Sequence, residues 1–157
     1  MDPRLPLRLS NGLIHAIALV RIPSLRICGI VKFFVDTGSP ESFIGEQDAQ
    51  RLKIPMKTLN FTKPALMGGT KISLAQIKDI RFNFRTEGEP IKIRSPVFHV
   101  ARGMWTKKGV VHSNPSILGT DFLLANNMQL IFWPSNNVAF LRIVKGAIQQ
   151  DSGNKSS

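Results

Sequence analysis

The sequence predicts an all-β domain, and three observations favour this fold class. Apolar runs long enough for strands are separated by turn residues, and in two further segments apolar and basic residues alternate with the period of a half-buried strand. Helical patterns are short. At 157 residues, the chain has room for one domain with a buried core. The strand-like segments lie at residues 13–20, 27–35, 80–84 and 91–93.

The first elements are predicted to be a hairpin and a short helix. Residues 13–20 and 27–35 supply the strands, and the second strand runs directly into Asp36. Residues 46–52 favour helix, which Pro55 then stops.

A second hairpin is predicted where the alternating segments flank a turn of Glu-Gly-Glu-Pro at residues 87–90. Residues 96–100 are expected to form another strand. Residues 121–127 favour a helix with Thr120 as its N-cap and Asp121 in its first turn.

The last predicted elements are two strands, at residues 128–132 and 137–143, with a turn that contains Pro134. The predicted organisation is an N-terminal extension, a single domain and a flexible polar tail. The corresponding boundaries are residues 1–12, 13–145 and 146–157.

The most informative segment is residues 33–39, where an apolar run leads into Asp36, Thr37, Gly38 and Ser39. A carboxylate pair can hydrolyse a peptide bond when one member is a general base on water and the other a general acid. A buried strand would hold the acid, glycine would allow close approach, and the hydroxyls could bond carboxylates or backbone. Asp-Thr-Gly-Ser is also common in ordinary turns, so the segment needs a second motif beside it.

A second acid of the same kind is needed, and one other place in the chain matches the pattern Asp-Thr/Ser-Gly, at Asp151, Ser152 and Gly153. Polar Gln149 and Gln150 precede it where an apolar strand would be required, so it is assigned to the polar tail. The hypothesis is therefore a homodimer in which two copies of Asp36 meet on a two-fold axis. Two such close carboxyls would share a proton and titrate as a coupled pair.

These features resemble the retropepsin-like aspartic proteases, the family of retroviral and retrotransposon proteases. One anchor is residues 35–44; the other is residues 116–123, which is similar to the family's segment of two apolar residues and glycine with its following helix. The resemblance covers about residues 13–141. It implies an all-β, closed, β-barrel-like acid-protease lobe, with one short helix after the Ile-Leu-Gly segment, that forms a two-fold symmetric dimer.

The resemblance also implies residue roles. Asp36 would be the catalytic carboxylate, Thr37 would lock the two active-site loops across the dimer, and Gly38 would allow their close approach. Ser39 would bond the outer carboxylate oxygen. The structural support from below would come from Ile117, Leu118 and Gly119.

A flap is implied between the two anchors, in residues 64–74. Such a hairpin closes over bound peptide and donates backbone hydrogen bonds, although an ordinary surface hairpin would have the same sequence. Its candidate substrate-binding residues are Met67, Gly68 and Gly69.

The predicted function is an aspartic endopeptidase that cleaves extended peptides or proteins with water and no cofactor. The alternative is a non-catalytic module that keeps the fold and binds peptide or serves a structural role. A formal charge of +11 raises a further alternative, association with nucleic acid. The basic residues are scattered outside any nucleic-acid motif, and an aromatic content of 8% without Tyr offers few stacking platforms, so only weak association is left open.

Other chemistries have little support in the sequence. His15, His99 and His112 lack metal-ligand spacing, and Cys28, within an apolar strand, is expected to be a small core residue. One cysteine cannot form an intrachain disulfide. The start of the sequence lacks a signal-peptide layout, and no apolar run reaches the roughly 20 residues of a membrane span, so a cytoplasmic protein without membrane contact is expected.

Overall fold

The computed structural model describes residues 2–67 and 69–145. Gly68 and the predicted tail, residues 146–157, lie outside the described residues. Within the described part the chain forms thirteen strands and two short α-helices. Their bounds are β1 Arg4–Pro6, β2 Arg8–Ser10, β3 Leu13–Ile22, β4 Ile27–Val35, β5 Phe43–Ile44, α1 Glu46–Arg51, β6 Lys63–Met67, β7 Thr70–Phe84, β8 Ile91–Arg102, β9 Met104–Lys107, β10 Val110–Ser113, β11 Ser116–Leu118, α2 Thr120–Ala125, β12 Met128–Trp133 and β13 Val138–Ile143.

The main sheet has eight strands in the order β2-β3-β4-β11-β5-β8-β7-β6. Because β3 also pairs with β7, the sheet closes on itself. Strand β11 lies parallel to β4, and β5 lies parallel to β8. A three-stranded sheet, β1-β13-β12, and the hairpin β9-β10 complete the strands. The predicted all-β, barrel-like lobe is confirmed.

The three predicted hairpin pairings are present as β3-β4, β7-β8 and β12-β13. Two of their connections are single 3-10 turns that begin with proline, at Pro23–Leu25 and Pro134–Asn136. Each is followed by a residue in the left-handed region, Arg26 (φ 54°) and Asn137 (φ 52°). A fixed proline φ and a left-handed exit reverse the chain within a few residues.

Residues 96–100 do not form a strand of their own, contrary to expectation, since they continue β8. The paired register between β7 and β8 passes over one position, where Asp79 (φ 55°) lies opposite Pro96. Proline has no N–H for the ladder, which accounts for the local break in pairing. The strand bends there without ending.

Two local predictions are wrong. The N-cap of α2 is Gly119, and Thr120 is the first residue of the helix. Cys28 is exposed because Val31 and Phe33 take the buried positions of β4, so the alternation of the strand turns Cys28 to solvent.

The segment 1–12, expected to be an N-terminal extension, packs on the rest of the chain. Strand β1 pairs with β13, with Leu5 opposite Leu141, and β2 pairs with β3. Leu5 and Leu7 are buried in the main core.

The core is organised by five phenylalanines from β4, β7, β8 and α2. Ring centroids are 5.1 Å apart for Phe82–Phe98 and 5.3 Å apart for Phe82–Phe122, in edge-to-face geometries that aromatic pairs favour. Phe33 precedes Asp36 by three residues, and Phe122 follows Gly119 by three. The cluster therefore fixes both segments that the sequence marks as functional. Its members are Phe33, Phe82, Phe84, Phe98 and Phe122.

No helix among the described residues is long and apolar enough to cross a membrane.

Candidate active site

Asp36 lies at the point where β4 leaves the sheet beside β11. Val35 is in register with Leu118 across this parallel pair, and the Asp36 backbone N–H donates to the Leu118 carbonyl at 3.0 Å. The two sequence anchors, more than 70 residues apart in the chain, are thus adjacent strands. The pairing of β4 with β11 holds the backbone of Asp36, and the Asp36 side chain is exposed.

A tight turn shapes the loop after Asp36. The Gly38 N–H donates to Asp36 Oδ1 at 2.9 Å, and the Ser39 N–H donates to the Asp36 carbonyl at 3.1 Å. A Cβ atom at Gly38 would lie 3.2 Å from the same carboxylate oxygen, so glycine keeps that side of the acid open. Thr37 is exposed at the tip of the turn.

Among the described residues the Ser39 hydroxyl makes no hydrogen bond to the Asp36 carboxylate, so its bond to the outer carboxylate oxygen stays a prediction. The hydroxyl donates to the Glu41 carbonyl at 2.7 Å. This bond joins residues two positions apart, so the Ser39 hydroxyl stabilises the local turn that follows Asp36.

Gly119 lies directly beneath the loop. A Cβ atom there would be 2.4 Å from the Ser39 carbonyl oxygen and 2.6 Å from that of Glu41. The next residue, Thr120, donates its N–H to the Ser39 carbonyl at 2.9 Å. Glycine is required at this position because two backbone segments meet there. Ile117 and Leu118, the residues before it, are buried.

Ser42 and Asp121 form a structural contact at the site that the sequence analysis did not predict. Asp121 accepts the Ser42 N–H at 3.1 Å, the Ser42 hydroxyl and the Phe122 N–H at 2.7 Å. The Ser42 oxygen in turn accepts the Gly119 N–H at 2.7 Å. The two residues are 79 positions apart, and the only sequence signal was the favourable place of an acid in a helical first turn.

A second polar link anchors the far end of the same region. Ser116 is buried; its hydroxyl donates to Asp48 Oδ2 at 2.6 Å and accepts the Gly45 N–H at 2.9 Å. A Cβ atom at Gly45 would lie 2.0 Å from the Asn114 carbonyl oxygen. Helix α1 is therefore tied to β11 through one hydroxyl.

His99 lies behind the loop, in register with Phe43 across β5-β8. Burial lowers the pKa of its imidazole and the Lys63 cation lowers it further, against opposing effects of Glu41 and Asp121. Within the described residues its Nε2 atom is buried without a hydrogen-bond partner. The folded chain therefore resists protonation of this ring more than the unfolded chain does.

Asp36 borders a cleft of about 390 Å³. Met67, the last residue of β6, lines the same cleft, so the hairpin β6-β7 adjoins the carboxylate. Gly69 at its tip has φ +79°, and Gly68 lies outside the described residues. The remaining lining is mainly apolar and consists of Gly12, Leu13, Ile14, Phe34, Val35, Pro115 and Ile117.

In the described part of the chain, no three His, Cys, Asp or Glu side chains come together as metal ligands. Asp36 is the one carboxylate among the described residues that line the cleft.

A closed sheet that presents one Asp-Thr-Gly loop beside an apolar strand ending in glycine defines a retropepsin-like lobe. The family model described as aspartyl protease matches residues 25–122, more than half of the chain, and the protein belongs to this family. No curated protein matches the chain.

Among solved structures, the fold is similar to that of a retropepsin-like aspartic protease from Rickettsia conorii. The TM-score is 0.55 at 19% identity, over 90% of each chain. The retroviral protease-like domain of Ddi1 from Leishmania major matches with a TM-score of 0.41 and 18% identity, over 85% of this chain and 98% of that one.

Proposed function

We propose that the protein is an aspartic endopeptidase that is active as a homodimer and hydrolyses extended peptides or proteins. The observation that carries the proposal is the Asp36 carboxylate, which is fixed by the Gly38 N–H and exposed at the border of an apolar cleft. A general base has to reach a water beside a bound carbonyl, and the Asp36 carboxylate is exposed where such a water could lie.

The proposed reaction uses one ionised and one protonated carboxyl. The ionised group takes a proton from water, whose oxygen bonds to the peptide carbonyl carbon, while the protonated group gives its proton to the carbonyl oxygen. The tetrahedral diol then collapses: the C–N bond breaks, the nitrogen takes a proton from one carboxyl, and a hydroxyl proton returns to the other. No cofactor enters these steps.

The second carboxyl is assigned to Asp36 of another copy. The loop tip, Asp36, Thr37 and Gly38, is exposed in the single chain, so a second copy can approach it. Thr37 has a free face for the proposed contact between the two loops. Ser39, which bonds Glu41 here, could contact the outer carboxylate oxygen only after rearrangement.

The hairpin β6-β7 is proposed as the flap. Met67 lines the cleft beside Asp36, and the adjacent Leu66 side chain is 72% exposed, as expected for a strand with one face toward the cleft. An extended peptide could bond to the backbone of this hairpin. The glycine pair that follows Met67 in the sequence, Gly68 and Gly69, is proposed to give the backbone the freedom to close.

The test compares the purified protein with its Asp36→Asn variant on a diverse peptide library, with cleavage read by mass spectrometry. We expect wild-type cuts that are absent from the variant, while circular dichroism and oligomeric state stay the same. Silence from both proteins, with the dimer intact, would favour the non-catalytic peptide-binding module. Cuts that persist in the variant would assign the chemistry to another group.

A mixing experiment tests the shared site separately. Excess Asp36→Asn subunits added to wild type should reduce the specific activity, because mixed dimers hold a single ionisable carboxyl. Activity that stays constant per wild-type subunit would contradict the two-copy site.

A further inference from the structure

Three arginines form a row across the outer face of the barrel. Arg21 on β3 is in register with Arg81 on β7, and Arg81 is in register with Arg94 on β8. All three side chains are exposed. Neighbouring strands are about 4.8 Å apart, so the row spans about 10 Å.

Like charges at directly opposite positions of a sheet destabilise it. One carboxylate offsets this row: Asp79 accepts from Arg94 Nε at 2.6 Å and lies 3.4 Å from Arg81 Nη2. The Arg94 and Arg81 guanidinium groups hold the pKa of the Asp79 carboxyl below its usual range, so it stays ionised. Arg21, at the other end of the row, has no anionic partner among the described residues.

The row borders a groove of about 390 Å³. Lys92, two positions from Arg94 on the same strand face, adds a fourth cation, and Asn83 adds an amide. Within the described chain no carboxylate lines this groove. Four cations around a concave surface form a site for an anion with several oxygens, and guanidinium groups bind phosphate oxygens through paired N–H donors.

We infer that this groove, bounded by Arg21, Arg81, Lys92 and Arg94, binds the phosphate backbone of a polynucleotide. A row of about 10 Å can contact more than one phosphate, since phosphates repeat every ~3.4 Å along each strand of a duplex. The net charge of +11 adds long-range attraction for such a polyanion.

The groove offers cations for the phosphate backbone and no exposed aromatic ring on which a base could stack. Phe82, its one aromatic lining residue, is 1% exposed and cannot stack on a base. Binding should therefore be salt-dependent and independent of base sequence, and RNA and DNA should bind alike.

The groove is remote from the candidate active site. Leu13 at the start of β3 lines the cleft beside Asp36, and Arg21 lies eight residues further along the same strand, roughly 26 Å away at the rise of a strand. Polynucleotide binding would therefore not occupy the peptide cleft, and it does not depend on whether Asp36 is catalytic.

The test measures fluorescence anisotropy of labelled RNA and DNA single strands of about 20 nucleotides over a range of salt concentrations. The variant is R21Q/R81Q/R94Q, and the matched control, K53Q/K57Q/K145Q, removes three exposed cations elsewhere. We expect wild type to bind at low salt and the arginine variant to lose about tenfold or more in affinity. The slope of log K against log salt should fall by about 2, and the control should keep most of the affinity.

Three outcomes would overturn the inference: no binding by wild type at low salt, equal losses in both triple variants, or competition by polyglutamate as effective as by unlabelled oligonucleotide. Folding is checked by thermal unfolding without ligand. The arginine variant should unfold close to the wild-type temperature, because it removes the repulsion within the row together with the exposed ion pairs of Asp79 to Arg81 and Arg94. A loss of binding with the unfolding temperature retained supports the site; loss of both would assign the row a structural role.

Discussion

Ser42 donates both its backbone N–H, at 3.1 Å, and its hydroxyl to the carboxylate of Asp121. The same hydroxyl oxygen accepts the Gly119 N–H at 2.7 Å. Because Ser42 follows the Asp36 loop and Asp121 lies in the first turn of α2, this pair joins the two strand ends that meet at the candidate active site. The position of the loop therefore depends on a partly buried polar contact as well as on apolar packing.

Replacing Ser42 with Ala should reduce the free energy of unfolding by about 1–3 kcal/mol, because Gly119 N–H and Asp121 lose a buried partner. Ser95→Ala is the control, since the Ser95 hydroxyl makes an exposed bond to Val97, and its effect should stay below about 0.5 kcal/mol. Denaturant unfolding of both variants measures the difference. Equal effects would show that the Ser42 bond is not stabilising.

Gly119→Ala should be more severe than any nearby serine change. The new Cβ would lie within 2.6 Å of two backbone carbonyl oxygens, which cannot rotate away as a side chain can. A loss of about 3 kcal/mol or more, or failure to fold, is expected. Gly88→Ala, where a Cβ meets nothing within 4 Å, should unfold like wild type, and a similar loss there would contradict the steric account.

Phe82→Ala should cost about 3–5 kcal/mol, because Phe82 packs edge-to-face or stacked against four other phenylalanines. Phe132→Ala removes the same group from a half-exposed position and should cost less than about 1 kcal/mol. Thermal or denaturant unfolding reports both. A small loss at Phe82 would mean that the cluster can collapse around the cavity.

Met67→Ala should reduce peptide turnover if the hairpin β6-β7 acts as a flap. Met67 lines the cleft with Asp36, whereas Leu66 on the opposite face is exposed, so Leu66→Ala is the matched control. We expect kcat/KM to fall about tenfold for Met67→Ala, with less than about 1 kcal/mol lost in stability, and no change for the control. Unchanged turnover in the Met67 variant would assign the hairpin to structure alone.

The stability should fall as the pH drops from about 7 to 5. Burial, together with Lys32 and Arg8, lowers the pKa of His15, and burial with Lys63 lowers that of His99. The unfolded chain therefore takes up protons near pH 6.5 that the folded chain resists, so acid favours unfolding, by at most about 1.4 kcal/mol per pH unit for each group.

His15→Phe isolates the contribution of one ring. The variant should show a shallower decline in stability over the same pH range, measured by denaturant unfolding at several pH values. An identical slope in the variant and wild type would rule out His15 as a source of the dependence.

Local sequence was sufficient to predict strands and turns whose conformation depends on neighbouring residues in the chain. The alternation at residues 80–84 and 91–93 predicted the ends of β7 and β8 that flank the turn at residues 87–90, and the apolar runs predicted β3 and β4. The prediction for Cys28 was wrong because packing against the rest of the chain decides which face of β4 is buried. Val31 and Phe33 take the buried positions, and Cys28 is exposed. Pro96 was expected to begin a strand, but β7 pairs on both sides of it and β8 continues through.

The sequence by itself determined most of the long strands and the Asp36 turn, because chain conformation and alternation are local properties. The tertiary structure alone decided that Ser42 and Asp121 bond across 79 residues, that Met67 borders the same cleft as Asp36, and that three arginines lie in one row. These contacts depend on strand order and register, which are set when the sheet closes between β3 and β7 and carry no signature in any one segment.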